Sequence, residues 1–156
     1  MSRRILVAMD ESENAMRAVD YVKDAFSKDC EILLFGVVQN VSGICGMEDP
    51  SLTPYFQARQ IEFCAIEDQK RGLMEKALNA ARDRLIEAGF DESLVKTEAR
   101  VVKEGVARDI VREADSGYDT VVLGRRGLSG IRQFILGSVS QKVLSAIKNK
   151  AVVMVD

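Results

Sequence analysis

The feature that most constrains the fold is an alternation. Short apolar runs that read as strands are separated by segments whose apolar residues recur at helical spacing. Residues 5–9 are continuously apolar and stop at Asp10, as a strand buried on both faces does. Ala15, Met16, Ala18, Val19, Val22, Ala25 and Phe26 then fall on one helical stripe. Asp10 or Ser12 is placed to cap that helix, and Asp10 with Glu13 resembles a capping box. Residues 32–38 are a second apolar run and read as a central strand. Residues 39–57 break the pattern with Gly43, Gly46 and both prolines of the chain, Pro50 and Pro54, and read as a long loop. A long amphipathic helix starts at Ile61, Cys64 and Ala65 and runs through Met74, Ala77, Leu78, Ala81 and Leu85 to Gly89, a suitable residue to close it.

In the second half, Val95, Thr97, Ala99 and Val101 alternate with Lys96, Glu98 and Arg100. That period predicts a strand with one wet face, at a sheet edge. Gly105 precedes a short helix containing Ile110, Val111 and Ala114, and residues 120–123 form another buried strand. Val139, Val143, Leu144 and Ile147 predict a last helix, and residues 151–155 a closing strand. The order βαβαβαβαβ implies a parallel, doubly wound α/β sheet with helices on both faces.

Composition narrows the function. The chain has 156 residues, which predicts one domain spanning residues 1–156. A chain of that size buries roughly 70% of its unfolded surface without staples. A net charge of −2 gives no bias toward nucleic acid or an anionic membrane. The apolar run after the N-terminus is short for a signal-peptide core, and no stretch approaches the ~20 apolar residues of a membrane helix. The expectation is a cytoplasmic protein. Absence of histidine excludes Ser-His-Asp and Cys-His catalysis and histidine metal sites. Cys30, Cys45 and Cys64 form no CxxC pair, so neither a disulfide framework nor a zinc signature is expected. They read as reduced, inert thiols, with Cys45 the most reactive of the three.

Ligands of open α/β sheets sit beyond the carboxyl ends of the strands, where the winding reverses. Asp10, Val37, Val38 and Gly124 all fall at such ends. Gly124 opens a pattern of its own: Gly124, Gly127 and Gly137, with Ser138 just before the last helix. Backbone without Cβ lets an anion approach closely. The first N–H groups of a helix have no internal partner and suit a phosphate, and a hydroxyl adds another contact. Ser138 could equally cap that helix. Arg125 and Arg126 add positive charge beside the glycines, whereas Arg132 and Lys142 read as solvated charges, and Lys148 and Lys150 as structural cations at the end of the last helix, where they suit its dipole. The closing strand, residues 152–155, carries no charge, and an open apolar edge of that kind invites pairing with a second copy.

The G-x2-G-x9-G-[ST] pattern at Gly124, Gly127, Gly137 and Ser138 resembles the nucleotide loop of the universal stress protein family, and the likeness continues through Val139 and Ser140. Residues 5–13 resemble the family's opening strand and Asp turn, residues 33–37 its second strand, and residues 102–105 its third strand and turn. The resemblance implies a Rossmann-like, adenine-nucleotide α-hydrolase-like fold, with five strands in the order 3-2-1-4-5. It implies binding of ATP or AMP, with or without Mg²⁺, and a homodimer paired through the C-terminal strand 151–155. The nucleotide-binding residues it implies are Ala8, Met9, Asp10, Val37, Leu123, Gly124, Arg126, Gly127, Gly137, Ser138, Val139 and Ser140. Asp10 would meet the ribose or adenine, the Val37 backbone the adenine edge, and the glycines and serines the phosphates.

The chain departs from the family pattern at Glu11, where a small residue is usual, at Gly36, where histidine is common, and in lacking a proline before the last strand. The resulting expectation is a nucleotide-binding regulatory protein of the stress response, with at most slow Mg-dependent ATP hydrolysis. The alternative is a nucleotide-free dimeric scaffold of the same fold. An adenylating ligase is disfavoured, because residues 9–12 match neither of the loops such enzymes use, and a kinase-type P-loop is absent.

Overall fold

The computed structural model describes residues 2–10, 12–39, 53–125 and 136–156. Five strands, β1 (Arg4–Met9), β2 (Glu31–Val38), β3 (Val95–Val101), β4 (Thr120–Gly124) and β5 (Ala151–Val155), form one sheet in the order β3-β2-β1-β4-β5. All neighbours are parallel. The helices α1 (Glu13–Ala25), α2 (Pro54–Glu87), α3 (Val106–Asp115) and α4 (Ser138–Ala146) supply the crossovers.

Period-two geometry explains why β1 is apolar throughout. Ile5, Val7 and Met9 point to a core shared with α1 and α2, while Leu6 and Ala8 point to a second core containing Ile110 and Ala114 of α3 and Val143 of α4. A strand covered on both faces cannot carry polar residues at either parity. β3 is an edge strand whose residues after Val95 are mostly half-exposed, as its alternation predicted.

Ser12, not Asp10, caps α1: its hydroxyl oxygen accepts from Ala15 N at 3.2 Å. The Asp10 carboxylate instead accepts from Ser12 N at 2.8 Å, so the expected Asp10–Glu13 capping box is replaced by an Asx turn leading into a serine cap. Ala15, Ala18, Val19 and Val22 are the buried stripe of that helix.

The largest departure from the sequence reading is the start of α2. Residues 54–57 were expected in a loop, but the 34-residue helix begins at Pro54, with the Thr53 hydroxyl accepting from Phe56 N at 3.5 Å. Proline at the first helical position loses no hydrogen bond and has φ already set, so here it starts a helix. The buried residues of α2 are Met74, Leu78, Ala81 and Leu85, all in its C-terminal half. The helix is about 51 Å long at 1.5 Å per residue, far longer than the strands it packs on. It ends as expected at Gly89 (φ 99°), where Phe90 N bonds Leu85 O and Gly89 N bonds Ile86 O. Those two bonds are a Schellman motif, with Phe90 and Leu85 both in the core.

At α3, the buried Asp109 carboxylate accepts from Lys103 N at 2.7 Å and Glu104 N at 3.2 Å, which holds the turn before the helix. Leu144, placed on the apolar stripe of α4 by its spacing, is 47% exposed.

Candidate functional site

The topology reverses at β1. The chain leaves β1 for β2 on one side and returns from β3 to β4 on the other. Register places Met9 opposite Gly36 and Ala8 opposite Leu123, so the carboxyl ends of β1, β2 and β4 open at one level. A crevice beyond such a reversal is where doubly wound sheets hold ligands.

A cavity of about 430 Å³ lies there. Ala8, Met9 and Asp10 reach it from β1, Val37 from β2, Leu123 and Gly124 from β4, and Gly137, Ser138, Val139 and Ser140 from the start of α4. Ten of the residues read from sequence as nucleotide-binding therefore share one space. The other two, Arg126 and Gly127, lie outside the described residues, as do Glu11 and Arg132.

The two described glycines at strand ends have packing reasons of their own. A Cβ at Gly124 would lie 3.1 Å from Asn14 O and 3.2 Å from Asn14 Cβ, so the glycine lets α1 close on β4. A Cβ at Gly36 would overlap the Met74 sulfur and sit 2.7 Å from Met74 Cγ, so Gly36 lets α2 lie flat on β2. Gly137 (φ −57°) adopts backbone open to any residue and serves as the N-cap of α4, with no side chain completing the cap. Ser138 is thus the first helical residue and not the cap. The first amides of α4 consequently open toward the cavity that its first residues line.

Ser140 is buried, and its hydroxyl donates to Gly124 O at 2.8 Å. Gly137 N bonds Arg125 O at 2.9 Å, so two bonds tie the start of α4 to the end of β4. The Arg125 side chain pairs with Asp156 at 3.4 Å, at the end of β5.

Sequence reasoning missed the contribution of α2. Lys70 and Met74 line the cavity, and Lys70 and Asp10 are the only charged groups among its described lining residues. Helical spacing marked Met74 as core, but only the close approach at Gly36 shows that the same face reaches the crevice. Val106 and Ile110 of α3 add an apolar wall. Apolar walls with a few convergent polar groups are the usual make-up of small-molecule sites.

Cysteine chemistry also departs from expectation. Cys64 is disulfide-bonded, where all three cysteines were read as thiols. Cys30 is a free, buried thiol, so the partner of Cys64 lies outside the described residues. Spacing along a chain does not show which sulfurs meet in space. Among the described residues, no helix is long and apolar enough to cross a membrane.

Comparison with known proteins agrees with this geometry. Residues 1–155 match the model of the universal stress protein family. The chain is 30% identical over 149 residues to universal stress protein YxiE of Bacillus subtilis (strain 168), covering 92% of each chain. Among solved structures it superposes on the hypothetical protein MJ0577 with a TM-score of 0.73 and 23% identity, covering 99% of this chain and 96% of that one. Universal stress protein UspA from Lactobacillus plantarum gives 0.72 and 18%, covering 99% and 97%. A universal stress protein solved in complex with cAMP gives 0.62 and 21%, covering 98% and 95%. At those identities, the structural likenesses establish the fold.

Proposed function

This chain belongs to the universal stress protein family, and we propose that it binds an adenine nucleotide, ATP or AMP, in the crevice between β1 and β4. In this reading it acts in a stress response as a homodimer, through its bound state and not through turnover. One observation carries the reading. The nine-residue helix α4 starts without a side-chain cap at the cavity that the ends of β1, β2 and β4 also line. Uncapped helix amides need an acceptor, and phosphate oxygens meet that need while matching the positive end of the helix dipole.

In this reading Asp10 meets the ribose, the Val37 backbone reads the adenine edge, and Gly124, Gly127, Gly137 and Ser138 surround the phosphates. Ser140 has its hydroxyl proton on Gly124 O, so its part is to hold the first turn of α4 in place. Asp10 is the single carboxylate among the described lining residues, and one of its oxygens accepts from Ser12 N. That is a poor arrangement for activating water, which supports a holder of nucleotide over a hydrolase. Any Mg²⁺ would reach the site with the phosphates, and among the described lining residues Asp10 is the carboxylate able to meet it. The fold neighbour solved with cAMP makes that cyclic nucleotide a third ligand to test. For the dimer, the supporting feature is β5, which among the described residues lies at the sheet edge with β4 on one side. Pairing through that edge would complete its hydrogen bonding.

Mass spectrometry and the absorbance ratio of the purified protein should reveal retained adenylate. Gly127→Ala and Gly137→Val should abolish retention while circular dichroism stays unchanged, because added side chains intrude where backbone must meet phosphate. Undiminished retention in both variants would overturn the phosphate assignment. Incubation with Mg-ATP should leave the nucleotide almost entirely intact, and sedimentation should show a dimer.

A further inference from the structure

We propose that Lys70 supplies the positive charge of the crevice, making the affinity of this pocket rise with the negative charge of its ligand. The proposal rests on the nucleotide reading above and names a residue on α2 that the motif pattern does not include.

Three observations converge on Lys70. It lines the cavity, and it is the only cation among the described lining residues, facing a wall whose other charge is Asp10. An anionic ligand placed beside Asp10 alone would be repelled, so binding calls for a counter-charge. Second, the Lys70 side chain makes no hydrogen bond or ion pair among the described residues, unlike Lys23 or Lys150, whose ammonium groups are engaged with nearby carboxylates. Glu67, three residues earlier on α2, forms no ion pair with it; one Glu67 carboxylate oxygen is buried with no hydrogen-bond partner among the described residues.

Third, the fold explains how Lys70 arrives. α2 runs antiparallel to β2, as a crossover helix must, so residues before Met74 lie progressively above the carboxyl end of the sheet. Gly36 seats Met74 on β2 near the end of that strand. Residues four apart share a helix face, so Lys70 lies one turn, about 5.4–6 Å, above Met74 on the side of the crevice. A helix beginning near the level of Met74 would present no such residue. Here α2 begins sixteen residues earlier than Lys70, at Pro54, and the lysine falls within continuous helix. Its exposed ammonium, on a flexible stem, acts as a point charge on an anion in the crevice without a fixed contact.

The test is calorimetric titration of nucleotide-stripped protein with ATP, AMP and adenosine, for the parent chain, Lys70→Met and Lys70→Arg, at low and high salt. Lys70→Met should weaken ATP about fivefold and AMP less, with adenosine unchanged. Lys70→Arg should keep most of the ATP affinity. The difference between parent and Lys70→Met should shrink at high salt, because an exposed charge contact is screened. Unchanged ATP affinity in Lys70→Met would overturn the role of Lys70 and leave the nucleotide reading standing. An equal loss for ATP, AMP and adenosine would also overturn it, since that pattern belongs to a displaced helix. A parent chain that binds no adenylate would overturn the nucleotide reading itself.

Discussion

At the scale of single residues, two atoms' worth of space shape the site. The missing Cβ of Gly36 is filled by Met74, whose sulfur and Cγ occupy the volume a side chain would need. Gly36→Ala should therefore overpack the α2 side of the core and cost about 1–3 kcal/mol in urea unfolding. Gly36→Ala combined with Met74→Ala should cost less than the sum of the two single changes, because each leaves room for the other. Strict additivity would mean that the two residues do not share that space. Cys30 illustrates the opposite case, a reactive group made inert. Burial, assisted by the neighbouring Asp29 charge, holds its thiol above the ordinary cysteine range. The thiolate is the reacting form, so Cys30 should resist alkylation in the native protein and react on unfolding. Peptide mapping of the modified residue checks this, and native labelling at Cys30 would contradict it.

At the scale of elements, helix ends carry the positional information. Ser12 and Thr53 start α1 and α2 through their hydroxyls, whereas α4 starts with no side-chain cap and faces the crevice. α3 also starts at a glycine with no side-chain cap, but α4 is the one whose first residues line the crevice and have a proposed anion to receive. α2 closes at Gly89, whose φ of 99° is strained for any residue with a side chain, although a Cβ there would touch nothing. Gly89→Ala should thus destabilise the fold by about 1 kcal/mol through backbone conformation alone, with Gly89→Asn less harmful. Chemical denaturation of the two variants separates them; an equal cost for both would point to packing.

At the scale of the whole molecule, ligand and fold are thermodynamically linked. A nucleotide that binds the folded state alone stabilises it by about 2.7 kcal/mol at a hundredfold excess over its Kd. ATP should raise the unfolding midpoint more than adenosine at matched concentration, and that gap should narrow with salt. An identical midpoint with and without every adenylate would remove the ligand from the account of this protein. The sheet itself should survive such a result, because most residues of the cores on its two faces do not line the cavity.

Hydrophobic period is a local record of burial, and it was enough to order the elements of this chain. Continuous apolarity at residues 5–9 and 32–38 marked strands covered on both faces, and alternation at residues 95–101 marked an edge. The spacing of Gly124, Gly127 and Gly137 pointed to the same end of the sheet as Asp10 and Val37. What such patterns omit is the identity of the opposing surface. Nothing in the sequence around Lys70 distinguishes it from its solvated neighbours Gln69 and Arg71. Its place in the crevice follows from Gly36 meeting Met74 across 38 positions of chain. In the same way, the Ser140 hydroxyl finds Gly124 O only after β4 and α4 have docked, and Cys64 finds its partner only after the chain has closed. Periodicity tells which side of an element is hidden; distance between elements is set by the volumes that meet there, and those are known only once the layers pack.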